Sequence, residues 1–167
     1  ILTRLDTFLR PKPIRYMVSQ KTNRLNFADV IDSGKILLAR IPHGLVGEEN
    51  AYLLGTLIVS KIHQAAMARQ DQKKRRPFWL YIDEFYQFSC PSMAGILEGA
   101  RKYGLGLILA HQDMLQLDRG AELSDAVLSN CYTRVCFRLG QQDAKRLADG
   151  FSYFEPDDFL NLGLGEA

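Results

Sequence analysis

Apolar runs of strand length, alternating with helix-like stretches, constrain the fold of this chain more than any other feature. Three are nearly continuous and begin at Lys35, Phe78 and Leu105, with the sequences KILLARI, FWLYID and LGLILAHQ. A fourth, YTRVCFRL from Tyr132, alternates apolar and polar residues. A solid apolar run indicates a strand that is buried on both faces, and such strands occur mainly in parallel sheets.

Stretches with helical spacing lie between and after these runs. Residues 48–68 carry apolar side chains three and four positions apart, at Ala51, Leu54, Leu57, Ile58, Ile62 and Ala65. Residues 93–103, 121–128 and 143–151 also have helical character, whereas Pro11 and Pro13 break the start of the chain into short pieces. The pattern predicts an α/β fold, a mostly parallel sheet with helices on both faces joined by right-handed crossovers.

The bulk composition fits one globular domain. The 167 residues are 47% hydrophobic and 24% charged, and the net charge of +2 is too small to indicate nucleic-acid binding by itself. We predict a single domain with a peripheral segment (1–24), a core (25–151) and a tail (152–167). The chain begins with Ile and stops after LGLGEA, so we expect it to be a piece of a longer protein.

Metal, disulfide and membrane signals are weak. Cys90, Cys131 and Cys136 lack CxxC spacing, and no histidine lies where a zinc site would need it, so reduced thiols are expected. His43, His63 and His111 are read as structural or surface residues. No apolar run is long enough to span a bilayer, and we predict no membrane contact from this segment.

The strongest candidate site lies where the predicted strands end. Asp83 and Glu84 follow FWLYI, and Gln112 follows the next run. Carboxyl ends of parallel strands share one rim, where ligands bind. The pair fits a Walker B arrangement, in which Asp83 holds Mg²⁺ through water and Glu84 polarises the attacking water, while Gln112 contacts water and a phosphate oxygen. The alternative is a helix cap or solvated strand ends.

The basic residues each have two interpretations. Arg101 either interacts favourably with the helix dipole at the carboxyl end of its helix or reaches a phosphate held by a neighbouring subunit. The KKRR run from Lys73 either contacts phosphates or forms a solvated loop. Arg134 and Arg138 share one face of the predicted fourth strand, and belong either to a polar site or to an exposed edge.

A phosphate-binding loop is missing from the sequence. The one Gly-Lys pair, in DSGKI, has Asp29 where Walker A needs its first glycine and Ile36 where it needs Ser or Thr. It also precedes an apolar run instead of following one. We therefore predict that this chain alone binds ATP weakly and hydrolyses it negligibly.

The ordered motifs DSGKILLARIP, GLVGEENAYLLGTLI, WLYIDEF, EGARKYGLGLILAHQ and NCYTRVCFRLGQQDAKRLADGF cover most of residues 25–151. Together they resemble the HerA/FtsK-type branch of RecA-like motor ATPases, most closely the TraG/TraD-like coupling proteins of conjugation and type IV secretion. The resemblance implies the carboxyl-terminal part of a RecA-like P-loop NTPase core that lacks its Walker A half.

The resemblance also implies an activity and partners. It implies a hexameric ATPase that uses ATP and Mg²⁺ to translocate DNA, located in the cytoplasm, with anchoring to the inner face of the membrane and contact with secretion or relaxosome proteins left open. Asp83 and Glu84 match the Walker B pair, Gln112 the strand-end sensor, and Arg101 the arginine that reaches the neighbouring nucleotide. Two alternatives remain: a non-catalytic scaffold of the same fold, and an unrelated α/β domain that binds metal without nucleotide.

Overall fold

The computed structural model describes residues 2–88, 93–117 and 121–167. The chain divides into two compact units, the first ending at Ala110 and the second beginning at His111. Each unit has buried apolar residues of its own. None of the described helices is long and apolar enough to cross a membrane. The predicted division at residues 24 and 151 stays a prediction.

The first unit consists of helices followed by two strands. Its elements are α1 (Leu2–Leu9), α2 (Lys12–Val18), α3 (Phe27–Asp32), α4 (His43–Val46), α5 (Glu48–Met67), β1 (Phe78–Ile82), a 3₁₀ turn (Phe85–Phe88), α6 (Met93–Gly99), a second 3₁₀ turn (Ala100–Tyr103) and β2 (Leu105–Leu109). Local signals set several boundaries. Asn26 caps α3 by accepting from the N–H groups of Ala28 and Asp29, and Gly104, at φ 70°, ends the second 3₁₀ turn in the left-handed conformation.

Strands β1 and β2 form a parallel pair. Phe78 lies opposite Leu105, and Ile82 lies opposite Leu109. The hydrogen bonds extend one step beyond each end: Phe78 N donates to Gly104 O at 2.9 Å, and Ala110 N donates to Ile82 O at 3.0 Å. The two strands are parallel, as the sequence predicts, and their carboxyl ends lie side by side.

Helix α5 supplies much of the first unit's core. Of the predicted stripe, Ala51, Leu54 and Ile62 are buried, whereas Leu57 is 46% exposed. The buried face also includes Gly55, Val59 and Ala66. Ile14 of α2 packs in the same apolar cluster as Val46, Ala51 and Leu54. Ile14 therefore contributes to the core beside α5.

The prediction of four strands is wrong for the residues that the structure describes. Residues 35–41 and 132–139 form no strand there. Ile36 and Leu38 are about nine-tenths exposed, and Tyr132 is fully exposed. A strand is stable only where a neighbour completes its hydrogen-bond ladder, and among the described residues neither apolar segment pairs with the outer edge of β1 or β2.

The prediction of helices on both faces of the sheet also needs correction. Trp79 is 60% exposed and Tyr81 is 71% exposed, so one face of β1 is open to solvent. Alternate residues of a strand point to opposite faces, and the Phe78, Leu80 and Ile82 face is the more buried one. The described architecture is α/β with a two-stranded parallel sheet covered on one face.

The second unit is helical. It contains a 3₁₀ turn (Met114–Gln116) and helices α7 (Ala121–Asn130), α8 (Gln141–Ala148) and α9 (Pro156–Leu160). The predicted helices around 121–128 and 143–151 are confirmed with shifted ends. Phe151, Phe154 and Phe159 stack edge to face and tilted, with ring centroids 5.3–6.0 Å apart. Arg134 donates to Leu128 O and Cys131 O, so it caps the end of α7 where a strand was predicted.

Candidate functional site

Asp83 and Glu84 occupy a fixed turn directly after β1. Asp83 is exposed, Glu84 is partly buried, and Phe85 is fully buried. Phe85 N donates to Ala110 O at 3.0 Å, which ties the turn to the residue after β2. Glu84 N donates to Asp83 Oδ1 at 3.1 Å. The two carboxylates are therefore held at the carboxyl edge of the parallel pair, as the sequence predicts.

Glu84 has an unusual backbone. Its φ of 49° is the one positive value at a non-glycine position among the described residues. This left-handed conformation costs an L-residue roughly 1–2 kcal/mol. Residues held in such conformations concentrate at functional sites, because the surrounding structure must compensate for the strain. The strained position is Glu84, which the sequence analysis predicts to polarise the attacking water.

Asp83 and Glu84 are the carboxylates at this turn that could hold a metal ion. Within the described ranges, no three His, Cys, Asp or Glu side chains converge as a ready-made metal site. Mg²⁺ keeps several waters and is commonly held by one or two carboxylates together with substrate phosphates. The exposed Asp83 carboxylate fits that role.

Arg101 lies at the opposite end of the sheet from these carboxylates. It is exposed on the 3₁₀ turn Ala100–Tyr103, immediately before β2 begins. The strands are parallel and in register, so the start of β2 is next to the start of β1. Five strand residues span roughly 16 Å. The structure therefore does not bring Arg101 together with Asp83 and Glu84 within one chain.

Gln112 lies two residues beyond Ala110, in the second unit. Its side chain is exposed, and the neighbouring His111 Nδ1 lies 3.0 Å from Asp113 O. The predicted role of Gln112 beside the carboxylates stays a prediction.

DSGKI does not have the geometry of a phosphate loop. Gly34 and Lys35 follow the end of α3, whereas a phosphate loop connects a strand to the start of a helix. Lys35 and Ser33 both bond Asp29, and the hydrogen bond from Lys35 is the main reason that the Asp29 pKa is lowered. The Lys35 side chain thus pairs with a neighbouring carboxylate, which agrees with the conclusion from the sequence that DSGKI is not a phosphate loop.

Sequence reasoning missed Arg69, which is 1% exposed. Arg69 Nη1 donates to Arg76 O at 2.9 Å, Nη2 donates to Tyr103 O, and the guanidinium lies 3.6 Å from Asp32. These contacts join the loop before β1 to the turn that carries Arg101. Arg69 follows a helix without any distinguishing motif, and its hydrogen-bond partner Tyr103 is 34 residues away in sequence.

Two of the three cysteines lie among the described residues. Cys131 and Cys136 are both free and partly buried. Burial raises the pKa of each thiol, and the nearby Arg134 charge opposes that shift only in part. Cys90 lies outside the described residues.

Comparison with known proteins identifies the family. The family model for the type IV secretion-system coupling protein DNA-binding domain matches residues 42–152, which is more than half of the chain. This chain belongs to that family. Neither a curated protein nor a solved structure matched it. The TraG/TraD-like resemblance is thereby confirmed at the level of coupling proteins.

Proposed function

We propose that this chain supplies residues for ATP hydrolysis, at the carboxyl edge of its parallel strands, in an ATP-driven DNA translocase of a type IV secretion system. The observation that carries the proposal is the turn after β1, where Asp83 and Glu84 stand at the carboxyl edge of a parallel pair and Glu84 is held in a left-handed conformation. The coupling-protein family supports DNA as the partner.

Each residue then has a defined task. Asp83 would hold Mg²⁺ through water, and that ion would neutralise charge on the phosphates. Glu84 orients and deprotonates the attacking water, and Gln112 positions the same water from the end of the neighbouring segment. Arg101 stabilises the phosphate charge bound by a neighbouring subunit of a ring, which the resemblance predicts to be hexameric. Secretion or relaxosome proteins are further proposed partners.

A second function is a scaffold that assembles rings or binds a secretion partner without hydrolysis. The sequence feature that favours it is the absence of GxxxxGK[ST] from residues 1–167. Most of the binding energy for a triphosphate comes from the backbone N–H groups, the Lys and the Ser/Thr of that loop. The motor therefore requires a phosphate loop from outside these residues.

DNA-stimulated ATP hydrolysis by the full-length protein tests the motor. Glu84→Gln keeps the shape of the side chain and removes the base, so we expect the rate to fall at least about 100-fold. Glu98→Gln, at an exposed glutamate of α6, is the matched control and keeps the wild-type rate. Asp83→Asn is expected to weaken Mg²⁺-dependent nucleotide binding, whereas Glu84→Gln leaves that binding intact.

Two outcomes contradict parts of the proposal. A wild-type rate in Glu84→Gln would remove Glu84 as the base. A wild-type protein that binds DNA and assembles, yet shows no DNA-stimulated hydrolysis, would favour the scaffold.

A further inference from the structure

Two basic segments flank the edge of the sheet where β1 and β2 begin. One is the loop before β1, and the other is the 3₁₀ turn before β2. Five of their cations form what we call the basic patch: Lys73, Lys74, Arg75, Arg76 and Lys102. Four of the five are exposed, and Arg75 is partly buried.

The buried Arg69 joins the two segments. It donates to a carbonyl of each, at Arg76 and at Tyr103. The contact is close enough that a Cβ on Gly104 would lie 2.8 Å from the Arg69 guanidinium and 3.4 Å from Arg75 Cβ. The buried Arg69 side chain therefore holds together the two segments of the basic patch, which are distant in sequence.

The charge of the basic patch is not neutralised by the described part of the chain. None of its five cations forms an ion pair with a described residue. The nearby Asp32 carboxylate pairs instead with the buried Arg69, at 3.6 Å. Arg75 donates to the carbonyl oxygens of Arg69 and Gln70, which fixes the side chain but leaves its charge. Like charges held together repel each other, and a bound polyanion relieves that repulsion.

The basic patch is well separated from the candidate hydrolytic carboxylates. It lies at the amino edge of the strands, and Asp83 and Glu84 lie at the carboxyl edge, roughly 16 Å away along five strand residues. The Debye length at physiological salt is about 8 Å. A polyanion on the basic patch is thus screened from the negative charge of those carboxylates.

We propose that the basic patch binds the phosphate backbone of nucleic acid without selecting base sequence. The inference rests on the DNA partner of the proposed function and names the surface that contacts it. Lysines and arginines from two tied segments match the repeating charge of a phosphate backbone, and contacts to that backbone carry no sequence information directly.

The test compares two triple variants of the full-length protein by fluorescence anisotropy with labelled duplexes of two unrelated sequences. The first is Lys73→Gln, Lys74→Gln and Lys102→Gln. The second, Lys12→Gln, Lys21→Gln and Lys145→Gln, removes the same charge from exposed lysines elsewhere. Binding is measured without nucleotide, so an absence of ATPase activity, which would defeat the motor, leaves this result readable.

We expect the first triple to lose at least about ten-fold in affinity at about 0.1 M salt, equally for both duplexes. Its plot of log affinity against log salt should become shallower by about 2.7, since each phosphate contact contributes about 0.9 to that slope. The second triple should stay within about two-fold of wild type, and both should unfold at the wild-type temperature.

Two outcomes overturn the proposal. The first is unchanged DNA binding by the first triple; if that triple also lost binding to phosphatidylglycerol/phosphatidylcholine vesicles, the basic patch would be assigned to a membrane surface. The second is an equal loss in both triples, which would mean that net charge alone matters.

Discussion

At the scale of single residues, backbone strain and a buried charge distinguish this chain. Glu84 adopts a left-handed φ of 49° between a strand and a fully buried Phe85. Arg69 is buried with its guanidinium bonded to two carbonyl groups. Both arrangements are unfavourable in isolation and persist because neighbouring contacts compensate for them. Glu84 lies at the proposed site of ATP hydrolysis, and Arg69 joins the two segments of the basic patch.

Replacing Arg69 by Met should lower the free energy of unfolding by about 3 kcal/mol, measured by urea denaturation. Met keeps most of the apolar stem but leaves the carbonyl oxygens of Arg76 and Tyr103 without this donor, and buried unsatisfied groups are costly.

The matched control is Arg10→Met, because Arg10 forms an ion pair with Asp6 at 3.0 Å while 75% exposed. Exposed pairs contribute little, so a change below about 0.5 kcal/mol is expected. Equal effects of the two substitutions would show that Arg69 is not a structural tie.

At the scale of elements, the long helix α5 supports the turn that bears the carboxylates. Gly55 lies in the middle of α5, where a Cβ would overlap the Phe88 ring. Phe88 ends the 3₁₀ turn that begins one residue after Glu84. A glycine therefore lets this turn approach the helix closely, although glycine lowers the intrinsic stability of a helix.

Gly55→Ala should destabilise the protein by about 1–3 kcal/mol, because the added methyl displaces Phe88 from a packed position. We also expect a lower DNA-stimulated ATPase rate, since the displaced ring belongs to the turn after Glu84. Thermal unfolding and steady-state hydrolysis measure the two effects.

Gly95→Ala is the control, because Gly95 lies within α6 and an added Cβ there meets nothing within 4 Å. It should stabilise the protein by about 0.5–1 kcal/mol, as alanine usually does in a helix. If Gly55→Ala stabilised to the same degree, the close packing of Phe88 on α5 would be disproved.

Element predictions succeeded where the signal was local. FWLYI, LGLIL and the spacing after Glu48 each encode their own structure, and β1, β2 and α5 appear where expected. KILLARI and YTRVCFRL are also rich in apolar residues but form no strand among the described residues. Strand formation also requires a neighbouring strand, and that requirement is not written in the segment itself.

At the scale of the whole molecule, the separation of Arg101 from Glu84 has a functional consequence. They lie at opposite ends of a parallel pair roughly 16 Å long, so one chain cannot place both at a single phosphate. The proposed motor therefore needs subunits that complement each other across an interface.

Mixing Arg101→Ala with Glu84→Gln protein should restore DNA-stimulated hydrolysis that neither variant has alone. Random assembly gives about a quarter of interfaces with an intact Glu84 on one side and an intact Arg101 on the other. The recovered rate, measured across mixing ratios, should be largest near equal amounts.

A mixture of Glu84→Gln with the double variant Arg101→Ala, Glu84→Gln contains no intact interface and should stay inactive. Should the first mixture also stay inactive although mixed rings form, Arg101 would not act on the neighbouring subunit.

The sequence by itself determined the local features of this protein. Apolar periodicity placed β1, β2 and α5, and the chain order put Asp83 and Glu84 directly after a strand. The spacing around DSGKI was enough to exclude a phosphate loop, because that motif depends on residues close in sequence. The net charge of +2 gave no sign of the basic patch, because it averages over the whole chain.

Only the tertiary structure decided which distant residues meet. It paired β1 with β2 in register, set Glu84 in a left-handed turn, and used Arg69 to join two basic segments through a partner 34 residues away. It also left two strand-like segments unpaired. The physical reason is that periodicity reports how one segment buries its own side chains, whereas pairing and charge clustering depend on partners that only the folded chain brings together.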